Sequence, residues 1–150
     1  MSGEDIATKS TIFPTDERQV SSFNENGSAI IKVVGVGGGG NNAVNYMYKQ
    51  NIPGVSFVVT NTDRQALHNS PVPEQVLLGP NTSRGLGAGN KPEKAKAAAE
   101  ESAEELAELF DEDTKMVFVT AGMGGGTGTG ASPVVARIAR ERGMLTVGID

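Results

Sequence analysis

The chain alternates between short apolar runs and longer stretches with helical spacing. Three runs rich in β-branched residues, Ala29–Val36, Val55–Thr60 and Lys115–Ala121, stop at glycine or polar residues. Runs of this length and composition are typical of strands that are buried on both faces. Shorter apolar runs at Glu74–Gly79 and Leu145–Ile149 predict two more strands, so five strands are expected.

The first two connections predict short helices. Val44, Met47 and Tyr48 lie at i, i+3 and i+4, which predicts a helix after the glycines that follow the first strand. The segment Asp63–Ser70 is long enough for a brief helix at most, and Pro71 ends it.

Two longer helices are predicted in the second half of the chain. The first covers Glu93–Phe110 and has an apolar stripe formed by Ala95, Ala99, Ala103, Leu106 and Phe110. The second covers Ala131–Arg142 and places Pro133 in its first turn, where a missing N–H is tolerated.

The alternation of strand and helix predicts an α/β fold, a three-layer parallel sheet with helices on both faces. The expected domain covers residues 29–150, and the polar residues 1–28 are expected to form a flexible tail. The glycine-rich connections leave the carboxyl ends of the strands, which is where sheets of this class bind ligands. The sequence therefore predicts a ligand site at that end of the sheet.

Composition narrows the classes of partner. The chain has 150 residues and a net charge of −5, which argues against binding of nucleic acid and against docking on anionic membranes. It has no cysteine, which excludes disulfides and thiolate metal sites. It opens with no signal peptide, and no apolar run approaches the ~20 residues of a membrane helix. These features predict a cytoplasmic protein without direct membrane insertion.

Two glycine-rich connections carry the chemistry. Gly35–Gly40 fits G-x-G-x-x-G between a strand and a helix, and Gly122–Gly130 joins another strand to another helix. Glycines let phosphates approach backbone N–H groups, and a helix N-terminus adds a positive dipole end. Neither connection contains the lysine of G-x-x-x-x-G-K-[ST]. Charge neutralisation is therefore expected from backbone dipoles and from Mg²⁺ carried on the phosphates, with no metal ligand from the protein.

An NAD-type dinucleotide-binding domain of an oxidoreductase is the alternative at this point. Asp63 follows Gly40 by 23 residues, just past the second strand, and an acid there suits a ribose hydroxyl. Dinucleotide folds usually carry one glycine fingerprint, so the second connection, with Thr127 and Thr129, speaks against this alternative.

The combined motifs resemble the tubulin/FtsZ family. GGGTGTG, Gly124–Gly130, resembles the signature of that family, and IKVVGVGGGGNNAV, VVTNTD, GLGAGNKPE and AGMGGGTGTGASPVVARIAR extend the match over Ile30–Ile149. The resemblance implies a Rossmann-like GTPase domain that binds GTP or GDP with Mg²⁺. It also implies head-to-tail filaments, a division ring at mid-cell and division-ring proteins as partners.

The resemblance further implies which residues contact the nucleotide. Phosphate contacts are implied for Gly37, Gly38, Gly39, Gly40, Asn41 and Asn42, with Asn41 at a position where glycine is common. Contacts near the ribose and phosphate are implied for Asn61 and Asp63, and contacts on the γ-phosphate side for Gly87, Ala88, Gly89 and Asn90. The α- and β-phosphates are assigned to Gly124, Gly125, Gly126, Thr127, Gly128 and Thr129, next to Gly122 of the same connection.

The family pattern continues beyond these 150 residues with a central helix, an acidic catalytic loop and a second domain. Without them the chain is expected to be a partial GTP-binding domain that has no catalytic residue and no turnover alone. An apolar face and a free edge beside Leu145–Ile149 are expected to favour non-native oligomers or strand exchange. A natural short paralogue that caps filaments is the other interpretation left open.

Overall fold

The computed structural model describes residues 30–122 and 126–149. The predicted flexible tail over residues 1–28 lies outside this part of the chain, as do Gly124 and Gly125 of the second glycine-rich connection.

Five parallel strands form a single sheet, as the apolar runs predict. The spatial order is β3-β2-β1-β4-β5, so the first strand of the chain lies at the centre. Val34 of β1 pairs with Val58 of β2 on one side and with Val119 of β4 on the other. The strands are β1 (Ile31–Val36), β2 (Val55–Asn61), β3 (Gln75–Leu77), β4 (Met116–Ala121) and β5 (Leu145–Ile149).

Helices cover both faces of the sheet, which confirms the predicted three-layer α/β fold. Val33 and Phe57 pack with residues of the first two helices on one face, while Val34 and Val36 pack with residues of the last three on the other. Successive β1 residues thus alternate between two cores. The helices are α1 (Gly37–Tyr48), α2 (Arg64–His68), α3 (Pro92–Glu101), α4 (Ala103–Glu108) and α5 (Gly126–Glu141).

The predicted starts of two helices are wrong. The glycines of the first connection form the first turn of α1, and α5 begins at Gly126 rather than at Ala131. Pro133 therefore lies inside α5, where its ring removes the hydrogen bond to the carbonyl of Thr129. Propensity placed these glycines outside helices, but close packing of their backbones overrides propensity here.

The long helix predicted over Glu93–Phe110 is broken in two at Ser102. Ser102 has φ −99° and ψ 20°, outside helical values, and its Oγ accepts a hydrogen bond from the backbone N–H of Gly79 at 2.9 Å. The predicted apolar stripe still faces the core, since Ala95, Ala99, Leu106 and Phe110 are all buried and Ala103 is partly buried. The break thus reflects a tertiary contact rather than a change in amphipathic pattern.

None of the helices in residues 30–122 and 126–149 is long and apolar enough to cross a bilayer.

The face of the sheet beside α1 leaves an apolar groove next to the edge strand β5. A cavity of about 220 Å³ is lined by Ile31, Val33, Met47, Ile52, Val55, Phe57, Phe118 and Ile149. On β5 itself, Leu145, Val147 and Ile149 are 60%, 38% and 44% exposed. A strand edge beside exposed apolar side chains is a surface on which proteins associate.

We expect the chain to self-associate through β5, and Val147→Lys to weaken that association because a charge on an edge strand opposes pairing. Sedimentation velocity over a concentration series measures it. Ala97→Lys, an exposed alanine on α3, is the matched control and should leave association unchanged. A wild-type chain that stays monomeric at high concentration contradicts the expectation.

Candidate functional site

The candidate site lies where the chain leaves the sheet in opposite directions. β1 leads into α1 on one face, while the neighbouring β4 leads towards α5 on the other. The carboxyl ends of two adjacent strands whose connections diverge form a crevice, which is where open α/β sheets bind ligands. A cavity of about 430 Å³ occupies this position.

The cavity brings together four connections of the fold. Most of the predicted site residues line it, namely Gly38, Gly39, Asn61, Asp63, Gly87, Ala88, Gly89, Asn90, Gly122, Gly126, Thr127 and Gly128. Four further residues that were not predicted also line it, namely Val36, Thr62, Ala66 and Leu86. The other predicted residues of the described part of the chain do not line it, namely Gly37, Gly40, Asn41, Asn42 and Thr129.

The start of α1 lies so close to the connection after β4 and to the start of α5 that side chains are excluded between them. A Cβ on Gly39 would lie 2.8 Å from the Cα of Gly122, and a Cβ on Gly37 would lie 2.8 Å from the backbone N of Gly128. Gly37 also has a φ of +77°, a conformation that glycine adopts most readily. These glycines are required by packing, whatever ligand the cavity takes.

The start of α5 packs equally closely on the start of α3. A Cβ on Gly126 would lie 2.7 Å from the Cα of Asn90, and a Cβ on Gly130 would overlap the carbonyl oxygen of Pro92. The glycines of the second connection were predicted for their ability to approach phosphates. Their alternate positions in α5 also have a packing role that the sequence analysis missed.

Gly38 differs from these packed glycines. No heavy atom of the described residues lies within 4 Å of the place where its Cβ would stand, and its φ is outside the left-handed region. Gly38 is exposed and lines the cavity, so neither packing nor backbone strain requires a glycine at this position. The missing side chain leaves room in the cavity beside the first turn of α1.

The N-terminus of α1 has no side-chain cap. Val36 is the N-cap residue, no side chain there accepts a hydrogen bond, and the first turn contains no acidic residue. The first N–H groups of a helix have no partner within the helix and carry the positive end of its dipole. Because Gly38 and Gly39 line the cavity, this end of α1 is an anion-binding arrangement.

The side chains of the described cavity wall supply no positive charge. No lysine, arginine or histidine is among the residues that line it, and Asp63 is its acidic member. Within residues 30–122 and 126–149, no group of three or more His, Asp and Glu side chains could hold a metal ion. An anion in this cavity would therefore interact with backbone dipoles and with uncharged polar side chains.

Asn61 and Asp63 shape the connection after β2. The Asn61 Oδ1 accepts hydrogen bonds from the backbone N–H groups of Thr62 at 2.8 Å and Asp63 at 3.3 Å. The Asp63 Oδ1 accepts one from Ala66 N–H at 3.2 Å and so caps α2. Asp63 keeps a place on the cavity wall, but its carboxylate already has a structural role.

Asn41 has a structural role that sequence reasoning did not find. Its Nδ2 donates to the carbonyl oxygen of Thr60 at 2.9 Å, while its Oδ1 is buried without a partner among the described residues. A Cβ on Gly35 would meet that oxygen at 2.5 Å. The hydrogen bond of Asn41 thus attaches α1 to β2. Its side chain also fills the space that a Cβ at Gly35 would need, which explains the glycine in the middle of β1. Its neighbour Asn42 is exposed.

Thr62 joins the connection after β2 to α5, and it is a cavity residue that was not predicted from the sequence. Its side chain is fully buried, and its Oγ1 lies 2.7 Å from the Oγ1 of Thr127. Its carbonyl oxygen accepts a hydrogen bond from the backbone N–H of Gly87 at 3.1 Å. Three of the four connections therefore meet at Thr62.

Comparison with known proteins identifies the family. Residues 30–150 match the model of the GTPase domain of the Tubulin/FtsZ family. The chain belongs to the tubulin/FtsZ family. It is 55% identical over 137 residues to "Cell division protein FtsZ" of Porphyromonas gingivalis, a match that covers 89% of this chain and 30% of that protein. The chain thus spans under a third of the length of this relative.

Solved structures of tubulin/FtsZ proteins have the same fold. An empty FtsZ dimer of M. jannaschii matches with a TM-score of 0.77 and 45% identity, over 83% of this chain and 36% of that one. CetZ2 of Haloferax volcanii, described as a GTPgS-bound protofilament, matches with a TM-score of 0.70 and 28% identity, over 80% of this chain and 39% of that one.

The two kinds of glycine in the first turn of α1 predict opposite effects on stability. Gly38→Ala should stabilise the chain by about 0.4–1 kcal/mol, since alanine is accommodated and restricts the unfolded state. Gly39→Ala should destabilise it by about 1–3 kcal/mol, because the new methyl group meets the backbone of Gly122. Urea unfolding of both variants measures the difference, and equal effects would contradict the packing assignment.

Proposed function

We propose that the cavity binds the phosphates of a guanine nucleotide, and that the chain is the GTP-binding part of a filament-forming cell-division GTPase. The observation that carries the proposal is the uncapped, glycine-rich start of α1, which lies beside the start of α5 at a cavity whose described wall has no cationic side chain. The family assignment supports guanine nucleotide as the source of those phosphates.

The proposed contacts follow the four connections. The backbone N–H groups of Gly37–Gly40 bind phosphate oxygens, with Asn41 and Asn42 completing that turn. The segment Gly122–Thr129 binds the α- and β-phosphates through backbone N–H groups and threonine hydroxyls. Gly87, Ala88, Gly89 and Asn90 approach the γ-phosphate, while Asn61 and Asp63 lie near the ribose and phosphate.

A divalent cation fits this site as part of the nucleotide. One acidic side chain among the described wall residues is too few to hold Mg²⁺, which prefers an octahedral oxygen shell. We infer that Mg²⁺ arrives on the phosphates and reduces the charge that the helix ends must stabilise. The chain's own contribution is to orient backbone N–H groups before the nucleotide arrives.

The cellular role proposed for the whole protein rests on its relatives. Curated relatives are cell-division proteins, and the CetZ2 neighbour is described as a protofilament. We propose head-to-tail self-association into filaments of a division ring at mid-cell in the cytoplasm, together with division-ring proteins. No role for nucleic acid or for membrane insertion is proposed.

Nothing in the comparisons supports the alternative of an NAD-type dinucleotide-binding domain. The geometry also fits it less well, because two helix starts enclose the cavity and a single fingerprint would need one. Competition between GTP and NAD for the same chain separates the two functions. Displacement of bound GTP analogue by NAD at similar concentrations would support the dinucleotide alternative.

Gly38→Ala should weaken guanine nucleotide binding although it stabilises the fold, because its methyl group enters the space beside the N–H groups of α1. The wild-type chain should bind GDP with a Kd above about 1 μM, since further base and sugar contacts of the family lie outside these residues. Calorimetry should give a Kd for Gly38→Ala at least about tenfold higher. An exposed alanine control, Ala97→Ser, should bind as wild type.

Unchanged affinity in Gly38→Ala would contradict the proposed position of the phosphates. A submicromolar Kd for the wild-type chain would contradict the proposed loss of base and sugar contacts.

We also expect no GTP hydrolysis by this chain alone, because the family completes its catalytic site with acidic residues that these 150 residues do not match. Phosphate release measured with excess GTP should stay at the level of a protein-free control. Release that rises in proportion to chain concentration would refute this expectation.

A further inference from the structure

An exposed carboxylate holds the start of the Gly79–Asn90 loop with four hydrogen bonds. The Oε2 of Glu101 accepts from the backbone N–H and the Nδ2 of Asn81, at 3.0 and 2.9 Å. Its Oε1 accepts from the backbone N–H and the Oγ1 of Thr82, at 2.9 and 2.6 Å. Both carboxylate oxygens are thus engaged by two consecutive residues of one loop.

The position of Glu101 is unfavourable for the helix to which it belongs. Glu101 is the last residue of α3, whose final turn contains no basic residue, and a negative charge there opposes the helix dipole. The four hydrogen bonds stabilise the charged carboxylate and so oppose this unfavourable interaction. Those from the Thr82 side chain and the Asn81 backbone, in that order, contribute most to lowering the pKa of Glu101. The Glu101 carboxylate therefore stabilises the loop and not the helix.

The loop needs such an anchor because its backbone is unusual. Residues 79–90 include six with positive φ, namely Gly79, Arg84, Gly85, Gly87, Gly89 and Asn90. Side chains disfavour this conformation, and glycine gains more freedom in the unfolded state than other residues do. Ser102, next to Glu101, fixes the first residue of the loop through the 2.9 Å bond to Gly79 N–H. The break between α3 and α4 thus carries two consecutive anchors.

A series of hydrogen bonds links this anchor to the cavity wall. Ser83 follows the anchored Thr82 and is buried, and its hydroxyl lies 3.1, 3.2 and 3.3 Å from the carbonyl oxygens of Gly79, Leu78 and Thr62, which share its one proton. The carbonyl oxygen of Ser83 accepts a hydrogen bond from the backbone N–H of Leu86 at 3.0 Å, and the backbone N–H of Gly87 donates to the carbonyl oxygen of Thr62 at 3.1 Å. Leu86 and Gly87 begin the part of the loop that lines the cavity. The conformation fixed at residues 81 and 82 is therefore connected to the residues at the cavity.

We propose that Glu101 is a positioning residue, which holds the Gly79–Asn90 loop in the conformation that lines the cavity and so sets nucleotide affinity without touching the nucleotide. This inference rests on the proposed function. Glu101 is not among the residues of the described cavity wall, so its effect passes through Asn81 and Thr82. Removing these hydrogen bonds lowers the affinity for nucleotide, whereas removing a neighbouring negative charge does not.

Three variants test the proposal. Glu101→Gln removes the charge and replaces one acceptor oxygen by a donor group, and Thr82→Val removes a single hydrogen bond while keeping the carboxylate. Glu100→Gln removes the same charge from the neighbouring residue, whose contact is a surface ion pair with Arg137 at 3.5 Å. Circular dichroism and thermal unfolding first establish that each variant is folded.

Two measurements are made on every variant. Hydrogen exchange without nucleotide should be faster across residues 79–90 in Glu101→Gln than in wild type or Glu100→Gln, with helices α1 and α5 unchanged. Titration with a fluorescent GTP analogue, which carries the γ-phosphate that this loop is proposed to approach, should give a Kd about tenfold higher for Glu101→Gln, a smaller rise for Thr82→Val and a change of less than about twofold for Glu100→Gln.

The outcomes separate this proposal from the proposed function. Absence of GDP and GTP binding by the wild-type chain would overturn the proposed function itself. Normal wild-type binding with an unchanged Kd in Glu101→Gln would overturn the positioning role alone, whether or not exchange of the loop increases. Equal losses in Glu101→Gln and Glu100→Gln would attribute the effect to charge and would overturn the role of the hydrogen bonds.

Discussion

The site depends on a close contact between two backbones at the carboxyl ends of β1 and β4. Gly39 meets Gly122, and Gly37 meets Gly128, at distances that leave no room for a side chain. This contact brings the start of α1 and the start of α5 to the same cavity although the two helices cover opposite faces of the sheet. A wall built from backbone presents N–H groups in place of side chains, so the same contact that closes the fold also determines the chemistry of the cavity.

The glycines of this wall therefore fall into two groups, those that packing requires and one that packing does not explain. Those at the α1–α5 and α3–α5 contacts are required because a Cβ would enter a neighbouring backbone. Gly38 meets no such constraint among the described residues and lowers the helix propensity of α1 without a packing gain there. A residue that weakens its own helix and gains no packing contact in return is typical of a functional position. The proposed phosphate site accounts for Gly38 in a way that packing does not.

The strands and the fold class could be predicted from the sequence because β-branched runs such as Val55–Thr60 reflect burial on both faces of a sheet. The starts of α1 and α5 could not, because glycine propensity argues against a helix and only the contacts of Gly39 and Gly126 in space reverse it. The break at Ser102 depends on its bond to Gly79, 23 residues away in the chain. Thr62 was missed for a similar reason, since a threonine in a connection gives no sign that its hydroxyl will meet Thr127.

A chain with a net charge of −5 and no cationic side chain in the described cavity wall can hold a polyphosphate only if its partial charges are well placed. A backbone N–H carries a fraction of a unit charge, so several must point at the anion at once and must not reorient when it arrives. Rigidly oriented N–H groups therefore provide the electrostatic stabilisation that a lysine side chain provides in other phosphate-binding loops. The bond between Thr62 and Thr127, the attachment of Asn41 to β2 and the four bonds of Glu101 are made within the protein itself, and each fixes a connection that lines the cavity or adjoins it. Polar residues that pair with the protein itself are thus as necessary to such a site as the amides that would bind the ligand.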